Sequence, residues 1–154
     1  MSEKLFSDYW HKPKETSRDT TTGIKYEKQI EKLLEEKSIP YKPQYNVGKT
    51  RSGKGHRVDI LLNGKELISL KHQEVGGTND EKIVFECMKL QHAIEDYDYE
   101  SATIVLEGPA WKAKNVSWGR YFLSNDFKND VLNKLAPNVR VIDHETFLKE
   151  YIDA

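Results

Sequence analysis

The feature that most constrains this chain is a pair of β-rich runs, RVDILL at residues 57–62 and ELISLKHQ at residues 66–73, separated by Asn63-Gly64-Lys65. Asn-Gly between two such runs is a strong hairpin signal, because tight hairpin turns need residues that accept positive φ. Two neighbouring antiparallel strands follow. Side chains alternate along a strand, so Leu67, Ser69, Lys71 and Gln73 share one face of the second strand. Whether Asp59 joins them depends on the loop. A two-residue Asn63-Gly64 loop pairs Asp59 with Ile68 and turns it away. A three-residue Leu62-Asn63-Gly64 loop sets Gly64 in the left-handed position of a bulge. Asp59 then lies opposite Leu67, on the face of Ser69 and Lys71. The second register is the expected one.

The remaining elements are read around this hairpin. Residues 1–22 have no clean period and form an N-terminal arm, with a short helix around residues 5–10. Residues 24–37 carry Tyr26, Ile30, Leu33 and Leu34 at helical steps, and Pro40 ends the helix. Residues 41–47 suit a strand weakened by Pro43, and 48–55 form a Gly/Ser/Lys loop. After Gly76-Gly77, Thr78-Asn-Asp-Glu81 has capping-box spacing. Ile83, Val84, Cys87, Met88, Gln91 and Ile94 then run helically to about residue 95. A short buried strand at 102–106, a long loop, a helix at 127–135, a strand at 138–142 and a helix at 146–152 complete the chain. The order α-β-β-β-α-β, then α-β-α, implies a mixed three-layer α/β domain over residues 23–154. A length of 154 residues suits one core rather than two.

Several classes are excluded. No apolar run approaches the roughly 20 residues that span a bilayer, and the first residues are too polar for a signal peptide. The single cysteine, Cys87, rules out an internal disulfide and a Cys-rich zinc site. A cytoplasmic setting is expected. His11, His56, His72, His92 and His144 have no metal-ligand spacing. No Walker-type or Rossmann glycine pattern is present, and a mid-strand Ser69 lacks a nucleophile elbow. Net charge is −1, yet its distribution is uneven. Residues 41–58 contain Lys42, Lys49, Arg51, Lys54 and Arg57 with no acid. Residues 108–125 contain Lys112, Lys114 and Arg120, again with no acid, among Trp111, Trp118 and Tyr121. Basic residues among aromatics suit a polyanion with stackable bases, although solvated polar loops would look the same.

An acid and a lysine on adjacent strands suit phosphodiester hydrolysis. The carboxylate of Asp59 can hold a hard cation through oxygen, and Lys71 can stabilise developing negative charge. A structural Asp59–Lys71 ion pair is the plain alternative. Glu27 rides the inward edge of the first helix with Ile30 and Leu34, and can reach a strand end as a further metal ligand. Gln73 extends the Lys71 face towards substrate. Glu81 opens the second helix near the same strand end, although its role as a cap already explains it.

The segments GIKYEKQIEKLL from Gly23 and HRVDILLNGKELISLKHQ from His56 resemble the PD-(D/E)XK, or restriction-endonuclease-like, nuclease superfamily. The resemblance covers about residues 23–106. It implies an αβββαβ core with an acid on the first helix, an Asp on the second strand and acid-x-Lys on the third. Glu27, Asp59 and Lys71 fall on those positions. Gly23-Ile24-Lys25-Tyr26 also mimics part of a GIY-type signature, but it lies in a helical pattern rather than a strand. The departure is Ser69, which stands where acid-x-Lys has its carboxylate. Glu27 and Glu81 are the candidates to supply it, with Glu86 behind them; Glu66 is too early and points to the other face.

The resemblance implies a Mg²⁺-dependent endonuclease of the restriction or homing type acting on double-stranded DNA, with Mn²⁺ as a substitute ion. Asp59, Glu27 and Glu81 would hold the metal, Lys71 and Gln73 would act on substrate, and Lys49, Arg51, Lys54, Arg57, Lys112, Lys114, Trp118 and Arg120 would grip the nucleic acid. A Holliday-junction resolvase and an inactive nucleic-acid-binding module of the same fold stay open. A homodimer would let the enzyme cut both strands.

Overall fold

The computed structural model describes residues 21–73, 79–111, 118–128 and 134–153. Residues 1–20 of the N-terminal arm and the Thr78 cap lie outside them, and residues 21 and 22 belong to the first helix instead. Helix α1 spans Thr21–Glu36, three residues earlier than its apolar period announces. It buries Tyr26, Ile30 and Leu34. It does not need Pro40 to stop it. Ser38 takes a left-handed conformation at φ 57°. Its N–H donates to Glu35 O (3.0 Å), and the Ile39 N–H donates to Leu34 O (2.9 Å). This is the paired bonding of a Schellman end, which satisfies the last carbonyls of a helix.

Strands β1 (Tyr41–Lys49), β2 (Gly55–Leu62), β3 (Glu66–His72), β4 (Ser101–Glu107) and β5 (Val139–Asp143) form one mixed sheet in the order 1-2-3-4-5. The first three strands pair antiparallel, and β3, β4 and β5 run parallel. Parallel neighbours need a crossover, and helix α2 (Asn79–Tyr97) supplies it between β3 and β4. The expected loop after β4 holds a 3₁₀ turn at Pro109–Trp111 and the short helices α3 (Trp118–Phe122) and α4 (Asn125–Lys128). Helix α5 (His144–Phe147) is capped by Asp143, whose side chain accepts the Thr146 N–H, and continues as a π-helical turn over Leu148–Ile152.

Two apolar cores lie on opposite faces of the sheet. One gathers Tyr26, Ile30 and Leu34 of α1 with Ile60, Leu62, Ile68, Leu70, Val105, Phe147 and Ile152. The other gathers Ile83, Cys87 and Leu90 of α2 with Leu61, Leu67, Ile104, Leu106, Trp111 and Phe122. Along β3 the alternation is strict, so Leu67 and Ile68 fall into different cores. The chain therefore has the expected three-layer α-β-α build.

The β2–β3 register is Leu62↔Glu66, Leu61↔Leu67 and Ile60↔Ile68. The loop is three residues long, as expected, but it is Asn63-Gly64-Lys65. Asn63 (φ 53°) and Gly64 (φ 70°) are both left-handed, and the Lys65 N–H closes the turn on Leu62 O. Lys65 is then an extra residue before pairing begins. Continued, this register sets Asp59 opposite Ser69 rather than Leu67. The shift is two residues, so Asp59 keeps the face of Ser69 and Lys71.

Candidate active site

The β2–β3 ladder stops at Ile60 and Ile68. Beyond that pair, the Leu70 N–H donates to Asp59 Oδ2 at 2.6 Å. A carboxylate thus takes the place that a β2 carbonyl would hold in a continuous ladder, and the two strands part around it. Strand β1 is distorted at the same level. Pro43 pairs with Ile60 and Tyr45 with Val58, so Gln44 lies across from Asp59. Gln44 has φ 46°, and the strand changes face there: Tyr41 packs with the α1 core, Tyr45 with the α2 core. Val58 joins the α2 core while Ile60 joins the α1 core. Asp59 sits at this crossover, within reach of helices on both faces.

From the α1 side comes Glu27. Its carboxyl accepts from Gln44 Nε2 at 2.8 Å and lies beside Asp59, whose charge it feels. Burial first, and the Asp59 charge second, push the Glu27 pKa up to about 7. Burial also raises Asp59, opposed by the Leu70 N–H and by Lys71. Both effects favour one proton held between two carboxyls, since adjacent like charges cannot both ionise cheaply.

From the α2 side comes Glu86, which is buried. Its Oε2 lies 4.0 Å from Lys71 Nζ and 3.7 Å from Lys89 Nζ. Its charge is felt by Asp59 and by His56. His56 is buried beside this group, and desolvation lowers its pKa. Among the described residues neither His56 Nε2 nor Gln73 Oε1 has a hydrogen-bond partner. Ser69 is 2% exposed and offers only a hydroxyl.

Of the residues read from sequence, Asp59, Glu27 and Lys71 come together, and Gln73 continues the Lys71 strand. The Glu81 side chain lies outside the described residues. Glu66 is on the other face, where Tyr151 Oη bonds it at 2.7 and 2.9 Å. In the basic segments, Lys49, Lys54 and Arg57 are exposed. Arg51 is gripped by Asp96 through two 3.0 Å bonds, with Glu95 close by. Trp118 is 60% exposed and Arg120 is exposed, whereas Trp111 is buried. Lys112 and Lys114 lie outside the described residues. Gln44 and His56 had no sequence signature as site residues: one owes its place to a strand distortion, the other to alternation with Val58.

The donor chemistry suits a hard divalent cation. Asp59 and Glu27 offer only oxygen, and a cation between them would relieve the same repulsion that helps raise the Glu27 pKa. Among the described residues no group of three or more His, Cys, Asp and Glu side chains is gathered about one point, so other ligands would be water or substrate. No described helix is long and apolar enough to cross a membrane.

Comparison with known proteins gives one family. The model of the PD-(D/E)XK nuclease superfamily domain matches residues 18–152. No curated protein sequence matches the chain. A crystal structure of a protein of unknown function, AF1548, aligns with a TM-score of 0.47 at 11% identity, over 82% of this chain and 59% of that one. The chain thus spans about three-fifths of that protein's length, and a likeness this slight carries no argument.

Proposed function

The chain belongs to the PD-(D/E)XK nuclease superfamily, and on that premise we propose a divalent-metal-dependent endonuclease that hydrolyses double-stranded DNA at the Asp59–Glu27 pair. The observation that carries this reading is the Asp59 carboxylate seated where β2 and β3 part, with Glu27 brought beside it from α1 through Gln44 and Lys71 on the same face. Members of this superfamily generally use divalent metals; Mg²⁺ is the ion proposed here, with Mn²⁺ as a substitute.

Asp59 and Glu27 would hold the ion, which when bound would polarise a phosphate oxygen and lower the pKa of a coordinated water. Leu70 N–H fixes one Asp59 oxygen and Gln44 fixes one Glu27 oxygen, so the remaining lone pairs are oriented before substrate arrives. Preorganisation of this kind avoids reorganisation cost during the reaction. Lys71, drawn towards Glu86, would carry the negative charge that builds on phosphate. Gln73, at the end of the same strand, would contact the substrate backbone. Glu27 takes over the carboxylate absent at Ser69. The exposed Lys54, Arg57, Trp118 and Arg120 support a nucleic-acid surface. We assign the protein to an intracellular, restriction- or homing-type role, with a homodimer as the form that cuts both strands.

Cleavage of supercoiled plasmid, linear duplex, four-way junction and single strand, assayed side by side with Mg²⁺, tests the proposal. Metal-dependent cutting of duplex is expected. Cutting confined to junctions would make the chain a resolvase. Saturable DNA binding without cutting under Mg²⁺ or Mn²⁺ would favour the inactive binder, the reading to which the buried Ser69 points.

A further inference from the structure

We propose that the pocket at the carboxyl ends of β4 and β5 binds one amino-bearing nucleobase of the substrate, extruded beside the cleavage site; this rests on the nucleic-acid substrate of the reading above. The pocket has a volume of about 310 Å³. Leu106, Pro109 and Trp111 form its apolar lining, and Glu107, His144 and Glu145 its polar lining. Small-molecule pockets start at about 300 Å³, so this one suits a single base or nucleoside and not a stretch of chain. In open α/β sheets ligands settle beyond the carboxyl ends of the strands, and the parallel strands β3, β4 and β5 all end on this side.

The charge of the lining selects the occupant. Glu107, one oxygen of which is engaged by His72 Nδ1, and Glu145 place two carboxylates on the lining, which disfavours a phosphate through like-charge repulsion. They favour N–H donors. The apolar lining favours a flat, poorly hydrated body. Cytosine, adenine and guanine unite such a body with an exocyclic amine, and carboxylates accept from cytosine N4 in this manner. Thymine has no amine. With His144 Nδ1 engaged by Tyr26 Oη at 2.9 Å, the ring atom that His144 can offer a ligand is Nε2.

Two links tie the pocket to the carboxylate pair. Tyr26 and Glu27 are consecutive on α1: Tyr26 bonds His144 at the pocket, and Glu27 lies beside Asp59. Trp111 Nε1 donates to Lys71 O at 3.1 Å. A base in the pocket and a phosphate at Asp59 therefore address one short piece of substrate. A stacked, paired base cannot enter. Extrusion requires breaking stacking and pairing, and is easiest at a mismatch, junction or single strand, so the pocket would set which structures are cut.

The test is an NMR titration of the full chain with uncharged nucleosides. Deoxycytidine and deoxyadenosine are expected to shift the Trp111 indole N–H and the Gly108 and Glu145 amides. Thymidine is expected to shift them at least about fivefold less at equal concentration. Glu145→Lys should abolish the shifts with the β1 and β2 amides unchanged, and Glu145→Gln should weaken them. Asp59→Ala should retain them. Equal shifts with thymidine, shifts that survive Glu145→Lys in a folded protein, or no shifts with any nucleoside would overturn the pocket. Nucleoside shifts in a protein that cuts no DNA would instead overturn the nuclease reading and leave the pocket standing.

Discussion

Glu27 on α1 and Asp59 on β2 lie close enough for the charge of Asp59 to raise the Glu27 pKa, although their elements belong to different layers. The proximity exists because β2 and β3 separate at Asp59 and β1 is distorted at Gln44, which opens the sheet to the helix. The pair favours a proton for the same reason that it would favour a cation: two partly buried carboxyls lie side by side.

That pair makes stability depend on pH in a defined direction. The folded-state pKa of Glu27, about 7, lies above its ordinary value of 4.5. A raised acid contributes stability that is fully present below the unfolded pKa and is lost as pH rises through the folded one. Thermal unfolding without metal should therefore show Tm falling from pH 4.5 to pH 7 and levelling above. Glu27→Gln should flatten the fall, and millimolar Mg²⁺ should restore Tm at pH 8 in the wild type only. An unchanged pH profile in Glu27→Gln would show that the pair does not share a proton.

Asp59→Asn and Lys71→Met should each lower cleavage by at least about 100-fold, the scale of losing one charge-stabilising group in an active site. Circular dichroism should show both variants folded. Lys71 is 29% exposed at its side chain, so its removal opens no deep cavity. Full activity in either variant would remove the proposed mechanism.

Glu27 and Glu86 both stand near Asp59, and their roles separate by measurement. Glu27 lies beside Asp59, whereas Glu86 stands 4.0 Å from the Lys71 ammonium. Glu27→Gln should weaken Mg²⁺ binding in calorimetry by about tenfold or more, or ~1.4 kcal/mol. Glu86→Gln should leave Mg²⁺ affinity within about twofold and lower kcat. The reverse pattern would make Glu86 the carboxylate that replaces the one absent at Ser69.

Much of this was legible in the chain. Asn63-Gly64 announced the hairpin, and strict alternation through Leu67, Ile68 and Ser69 put Lys71 on the right face. The exact partner of Asp59 was not legible, because Lys65 adds an unpaired residue that pattern alone cannot distinguish from a shifted loop. Gln44 was hidden for another reason. A single residue at positive φ switches Tyr41 and Tyr45 to opposite faces, and no side-chain period encodes that. The engagement of Arg51 by Asp96 joins residues 45 apart, which a count of basic residues cannot see.

Gly108 is a point where backbone packing sets the site. It has φ +108°, and an added Cβ would meet Gln73 O at 2.3 Å. Both the conformation and the contact exclude a side chain. Gly108→Ala should destabilise the protein by about 2 kcal/mol or more, read as a lowered urea midpoint, because it pries the end of β4 from Gln73. A midpoint equal to wild type would mean that the two strand ends are not in contact in solution.

Gln44 gives the sharpest separation of stability from activity. Its left-handed backbone costs a non-glycine residue about 1–2 kcal/mol, while glycine adds about 0.5–1 kcal/mol of unfolded-chain entropy. Gln44→Gly should therefore leave stability unchanged or raise it by up to about 1.5 kcal/mol. The same change removes the 2.8 Å bond that aims the Glu27 carboxylate, so cleavage should fall about tenfold with weaker Mg²⁺ dependence. Gln44→Asn keeps an amide and tolerates positive φ, but its side chain is one methylene shorter and should recover little. Paired urea melts and cleavage rates check this. Equal activity in Gln44→Gly and wild type would show that the strained conformation at Gln44 serves the strand crossover alone and not the orientation of Glu27.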